Sequence, residues 1–212
     1  MALEIERKFV IHEDSETKLI KAGAVLKKHV TFTDAYFDTN NYDLSLADTW
    51  LRKRDGKWQL KIPPRERCTS LTCQYMELDS DMEIASSLLH NFPILANGSE
   101  TGATMVEISQ CLSEFARFTT HRTSYTIHDF HVDFDRTDFG FEVGEIELMN
   151  DDIQRDDGVG LHLMVEKVDK FASSIDFSTS ERVIGKVEEF LQRFRPEHYG
   201  KLVAANIMGN TV

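Results

Sequence analysis

No stretch of the 212-residue sequence approaches the roughly 18 consecutive apolar residues a helix needs to cross a bilayer. A helical membrane span is therefore excluded. Cysteine is scarce: Cys68, Cys73 and Cys111 make an odd count, and no Cys-x-x-Cys occurs. Neither a disulfide framework nor a zinc ribbon follows from them, and a reducing compartment fits. The motifs of several enzyme classes are missing. There is no Gly-x-x-x-x-Gly-Lys loop, no His-Glu-x-x-His and no Gly-x-Ser-x-Gly elbow. Positive charge is in deficit, 24 Lys and Arg against 36 Asp and Glu, a formal net charge of -12. Duplex-binding proteins carry a basic face that supplies much of their affinity, so a nucleic-acid partner is not expected. A small anion is still admissible, because a local cluster of cations can sit inside an acidic shell. The first residues, Met-Ala-Leu-Glu-Ile-Glu-Arg-Lys, are charged at once and offer no apolar signal core, so the expectation is a cytoplasmic protein without a membrane partner.

What is present describes one large globular domain, with 41% hydrophobic and 28% charged residues. The domain is expected over 1–203, followed by a disordered tail over 204–212. Strands are predicted over 2–10, 29–38, 49–54, 57–62, 72–79, 117–127, 130–136 and 141–149, from period-two alternation and β-rich composition. Asp55-Gly56 is a strong hairpin signal between the third and fourth of these. Helices are predicted over 14–23, 81–91, 161–175 and 179–194, from apolar spacing of three and four. The stretch 92–104, with Pro93, Gly98 and Gly102, reads as loop. The class is α+β, with eight antiparallel strands forming a barrel-like sheet.

Most of these strands carry charge on one face. Glu4, Glu6 and Lys8 alternate with Leu3, Ile5 and Phe9. Trp50, Arg52 and Arg54 share a face, as do Gln59 and Lys61, Asp133 and Asp135, and Glu145 and Glu147. For a single strand the plain reading is a solvated outer face. Taken together, the faces suit the inside of one closed sheet of about eight strands, which can hold a small ligand. Apolar side chains would then pack outward against helices. Burying so many unpaired charges would cost several kcal/mol each, so such a cavity must be wet and its charges must answer one another and the ligand. Arginine forks grip phosphate oxygens, lysine adds point charge, and hard carboxylates suit Mg²⁺ or Mn²⁺. A polyphosphate with its metal calls for both sets at once. His128 and His131 read as surface residues, Cys73 and Cys111 as small core residues, and Trp58 as packing.

The residues that carry this pattern resemble those of a known family. Glu4-Ile5-Glu6-Arg7-Lys8 is similar to the Glu-x-Glu-x-Lys signature of the CYTH superfamily, the triphosphate tunnel metalloenzymes. His29–Asp34 with Tyr36-Phe37-Asp38-Thr39, Ala47–Arg54, Val132–Asp135, Asp138-Phe139-Gly140, Gly144–Glu147 and Leu191–Tyr199 more specifically resemble its thiamine triphosphatase branch. The resemblance implies a tunnel of eight antiparallel strands open at both ends. It implies metal binding by Glu4, Glu6, Asp133, Glu145 and Glu147, and a triphosphate gripped by Lys8, Arg52, Arg54, Lys61, Arg122 and Lys186. Glu77 matches a tunnel glutamate without an assigned role. Lys53 interrupts what is an unbroken arginine run in other members, but its parity points outward. Trp50 shares a face with Arg52 and Arg54, where an indole can attract a cationic thiazolium ring. The activity implied is Mg²⁺-dependent hydrolysis of thiamine triphosphate to the diphosphate, with Mn²⁺ as a substitute metal. Lys61, its pKa lowered by neighbouring cations, or a tunnel glutamate such as Glu147 would take the proton. The alternatives are hydrolysis of tripolyphosphate or a nucleoside triphosphate, an adenylate cyclase of the same superfamily, and a noncatalytic polyphosphate-binding module. A monomer is expected.

Overall fold

The computed structural model describes residues 2–64, 71–96, 103–150, 159–177 and 180–209. Its centre is a closed barrel of eight strands: β1 (Ala2–Phe9), β2 (Val25–Asp38), β3 (Trp50–Arg54), β4 (Lys57–Ile62), β5 (Cys73–Leu78), β6 (Ser113–Ile127), β7 (Phe130–Thr137) and β8 (Glu142–Asn150). The order around the barrel is β1-β5-β4-β3-β2-β6-β7-β8, and every neighbouring pair is antiparallel. β1 closes the ring by pairing with β5 on one side and β8 on the other. The β3–β4 turn is tight because Asp55 and Gly56 both take positive φ, +46° and +88°. That geometry matches the right-handed twist of the flanking strands. β2 begins at Val25, earlier than its composition suggests, and pairs along its length with the equally long β6.

Seven helices are described: α1 (Ser15–Lys21), α2 (Asp43–Leu46), α3 (Asp81–Asn91), α4 (Met105–Ser109), α5 (Val159–Ser174), α6 (Lys186–Phe194) and α7 (Pro196–Ala204). α3, α4 and α5 cover the apolar outer face of the strands, as the inverted barrel requires. α5 lays Leu161, Val165 and Val168 against Leu3, Ile5, Val132, Phe134, Ile146 and Leu148. α3 and α4 bury Ile84, Leu88 and Ile108 with Leu51, Trp58, Leu60 and Leu78. A third cluster joins Leu191 of α6 and Leu202 of α7 to Tyr36, Trp50, Phe115 and Phe118. Trp58 thus packs outside, and Lys53 stands over its ring at 4.9 Å, confirming the outward parity of both.

One helix boundary is corrected. Residues 180–185 are not helical, and the predicted helix over 179–194 begins at Lys186. Pro196 starts a separate helix at a position where its missing N–H costs nothing. The described chain runs past residue 203 to Gly209, with Met208 buried, while 210–212 lie outside the described residues. Cys68 lies outside them too. No described helix is long and apolar enough to cross a membrane.

Candidate active site

Strand alternation turns the charged faces inward. Glu6 lies opposite Cys73 and Glu147, and Lys8 opposite Glu145. Lys61 sits between Trp50 and Glu77, Arg122 faces Asp135, and Asp133 faces Glu145. Lys186 enters from the first turn of α6. A cavity of about 430 Å³ gathers Glu4, Glu6, Lys8, Trp50, Arg52, Arg54, Lys61, Arg122, Glu145, Glu147 and Lys186 on its wall. Of the residues expected to bind metal or phosphate, Asp133 alone does not line it; Asp135, on the same strand face, does not line it either. The Asp133 carboxylate is turned onto Arg122, with which it is in direct contact. The wall is not strands alone: Arg182, Gly185, Glu188 and Met208 also contribute.

Each cation has a fixed carboxylate partner. Arg54 holds Asp34 through both arms of its fork, at 2.7 and 2.8 Å, and stacks on Phe32 at 4.0 Å. Arg122 grips Asp135 at 2.6 and 2.7 Å and reaches Glu145 at 2.7 Å. Lys186 touches Asp135 and lies 2.7 Å from Glu145. Arg52 donates to Gln59 at 2.8 Å and approaches Glu77 at 3.9 Å. Lys8 contacts Glu6, and Lys61 contacts Glu4 and sits 3.2 Å from Glu77. Gly185 lets α6 start this close: a Cβ there would lie 2.9 Å from Lys8 Cε.

The electrostatics revise one expectation. Burial alone would lower the Lys61 pKa, but Glu4, Glu77 and Glu6 outweigh it and hold the ammonium above its ordinary value. Carboxylates, not cations, surround this lysine, so the expected downward shift is absent. Glu145 behaves in the mirror sense. Burial pushes it up, yet Lys186, Arg122 and Lys8 bring it well below the ordinary carboxyl value. Glu147 goes the other way: burial and then Glu4 drive its pKa well up, and Arg122 offsets only part of this.

Glu4, Glu6 and Glu147 each bring a carboxylate oxygen within 4.8 Å of the others'. An all-oxygen set this compact suits Mg²⁺ or Mn²⁺. Glu145 and Asp133, also expected as metal ligands, pair with Lys186 and Arg122, as Glu4 pairs with Lys61 and Glu6 with Lys8.

Several wall residues escaped the sequence reading. Tyr36 shares the inward parity of Asp34, the fully buried partner of Arg54, so alternation along β2 would have found it. Cys73 is half-buried on the wall, 3.7 Å from Lys8 Nζ, rather than in the core. His131 is exposed, as expected, but also borders the cavity. Arg182, paired through its fork with the buried Glu188 at 2.9 and 2.5 Å, lies in an irregular segment whose apolar spacing reads as helix. Asp48 and Tyr75 join Trp50: one oxygen, Asp48 Oδ1, accepts from Trp50 Nε1 at 2.9 Å and from the Tyr75 hydroxyl at 2.8 Å.

Residues 2–175 match the CYTH domain family. The chain belongs to the CYTH family. It is 31% identical over 216 aligned positions to the thiamine-triphosphatase of Homo sapiens, covering 96% of this chain and 90% of the human protein. Among solved structures, a putative adenylate cyclase from Vibrio parahaemolyticus superposes with a TM-score of 0.57 at 18% identity, over 90% of this chain and 98% of that one. A putative adenylyl cyclase from Hippeastrum, described as revealing a dominant triphosphatase activity, gives 0.51 at 18% identity, over 91% and 96%. The shared CYTH architecture accounts for the closed barrel.

Proposed function

We propose that this CYTH protein is a metal-dependent hydrolase of a small triphosphate, with thiamine triphosphate as its substrate. The observation that carries the reading is the coexistence, on one cavity wall, of seven lysine and arginine cations and a carboxylate trio able to take a divalent metal. A binder of polyphosphate needs the first set alone. The thiamine assignment rests on the similarity to the human enzyme and on Trp50, whose ring borders the same cavity.

In this reading Lys8, Arg52, Arg54, Lys61, Arg122 and Lys186 bind and orient the phosphate chain. Glu4, Glu6 and Glu147 would hold Mg²⁺ or Mn²⁺, which supplies positive charge against the phosphate oxygens and lowers the pKa of water. Phosphoryl transfer of this kind asks mainly for positioning and charge neutralisation. Lys61 stays an ammonium among carboxylates and phosphates, so it contributes charge. The proton of the attacking water falls to a carboxylate, and Glu147, between Glu6 and His131 in register, is the one assigned. We take the protein to act as a cytoplasmic monomer on a small molecule.

Phosphate release from purified protein tests both halves. Thiamine triphosphate, ATP and tripolyphosphate are compared with Mg²⁺, with Mn²⁺ and in EDTA. Turnover is expected with either metal, to be lost in the chelator, and to be fastest on thiamine triphosphate. Full activity in EDTA removes the metal, and faster turnover of ATP or tripolyphosphate removes thiamine. Trp50→Ala should lower the ratio of kcat/KM for thiamine triphosphate to that for tripolyphosphate by roughly 5- to 30-fold, the equivalent of a cation–π contact of about 1–2 kcal/mol.

A further inference from the structure

Asp48 is the residue of the cavity that the phosphate chemistry leaves unexplained. It follows α2 with φ at +54°, in the left-handed region. Its N–H donates to the Ser45 carbonyl at 2.9 Å, and the Thr49 N–H donates to Leu44 at 2.9 Å, so Asp48 occupies the turn that ends this helix. Glycine is the usual residue there, because any Cβ is strained at positive φ. An aspartate tolerates the conformation better than most residues, but the turn does not require its carboxylate.

That carboxylate is 8% exposed and faces the cavity, where Oδ1 takes both the indole N–H of Trp50 and the hydroxyl of Tyr75. Trp50 stands on β3 and Tyr75 on β5. Between them, on β4, lies Lys61, paired with Trp50 in register and 6.0 Å from the Tyr75 ring. A single oxygen thus ties together two rings that flank a phosphate-facing ammonium. Burial, then the Asp48 charge, raises the phenol well above its ordinary pKa, so Tyr75 remains a donor. An indole whose N–H is anchored keeps one tilt, and cation–π attraction depends on that tilt because the cation must lie over the ring face.

We infer that Asp48 is a specificity-determining positioning residue, which holds Trp50 and Tyr75 as the wall against which the organic end of the substrate is selected. The inference rests on the thiamine reading above and deepens it. It also explains an aspartate where a glycine would fold more easily.

The test uses that preference. Asp48→Gly suits the backbone and removes the anchor, whereas Asp48→Asn keeps an acceptor oxygen. With Asp48→Gly the melting temperature should hold or rise. The kcat/KM ratio of thiamine triphosphate to tripolyphosphate should fall by about 5-fold or more, the low end for a lost cation–π contact. Asp48→Asn should retain most of the ratio. In a Trp58→Phe background, where Trp50 is the only tryptophan left, Asp48→Gly should shift its emission to the red and expose it to acrylamide, and Asp48→Asn should not. An unchanged ratio and unchanged emission in Asp48→Gly would reduce Asp48 to a turn residue and overturn the inference, while Trp50→Ala still lowered the ratio. A Trp50→Ala ratio equal to wild type overturns the thiamine reading itself, a separate result.

Discussion

Arg54 holds Asp34, its register partner on the neighbouring strand β2 and a carboxylate with no solvent exposure. Replacing the arginine with alanine would leave that charge buried and alone, which costs stability as well as binding. Arg54→Lys separates the two effects. It keeps a charge near Asp34 but loses the fork, and an exchange at a bidentate site is not conservative. The variant is expected to melt near wild type and to lose about 10-fold or more in kcat/KM, since a charge-assisted hydrogen bond contributes about 1.5–3 kcal/mol. Lys53→Ala, one residue away on the outer face, should leave kcat/KM unchanged. Wild-type kinetics in Arg54→Lys would show that the cavity does not grip the substrate. Gly144 poses the opposite problem. A Cβ there would lie 2.0 Å from the Phe9 ring, which is 1% exposed and stacked on Phe177 at 4.2 Å, so the ring cannot yield. Gly144→Ala should destabilise by about 1–3 kcal/mol, as overpacking does, read as roughly 2–4 °C of Tm per kcal/mol in a chain of this length. A variant that melts with wild type would mean the Phe9 side of β8 has room that the packing denies.

Elements were legible wherever a period of two met a turn signal. β1, the β3–β4 hairpin, β7 and β8 follow from alternation, and α3 was bounded correctly. The failures have identifiable physical causes. Val183, Ile184, Val187 and Phe190 continue a helical spacing upstream of Lys186, but residues 182–185 serve the cavity and carry no helix. α4 was missed although Thr104 and Glu107 form a capping box, a signal the loop-like composition around it masked. Inward parity identified nearly all of the cavity wall, but it could not say which carboxylates come together. Asp133 and Glu145 pair with Arg122 and Lys186, contacts decided in three dimensions. α7 illustrates a contact that no pattern reveals. Its His198 is buried, stacks on Tyr42 at 3.8 Å and lies 2.8 Å from Ser45 Oγ of α2. Burial, then Lys201, depresses its pKa from 6.5 to about 4. Between those values the unfolded chain binds a proton that the folded one refuses, so stability falls as pH drops through the window. His198→Phe keeps the stacking and removes the proton. It should be less stable at neutral pH, yet lose less Tm than wild type between about pH 6.5 and pH 4.5. Equal losses would mean His198 does not couple α7 to pH.

At the scale of the molecule, a net charge of -12 surrounds a cavity rich in cations. Those cations are satisfied internally, by Asp34, Glu77, Asp135 and Glu145. An anionic ligand must compete with these partners, and it binds the folded state alone, because the cluster does not exist in the unfolded chain. Tripolyphosphate in EDTA should therefore raise the Tm, by the equivalent of about 2.7 kcal/mol at a hundredfold excess over Kd. Sulfate at matched ionic strength should do far less, and equal shifts would mean a general salt effect.

Closure through β1 has a further consequence, in time rather than in space. Leu3 is paired with Asn150, and Phe9 with Gly144. The strand made first therefore waits for the strand made last before it has both neighbours. Contacts so distant along the chain must meet the entropy of a long loop before they give anything back, and they slow folding. A ribosome-bound chain ending before β8 cannot seat Glu4 and Glu6 beside Glu147, so the carboxylate trio assembles in the step that closes the barrel, and Lys186 of α6 joins the cavity only after that.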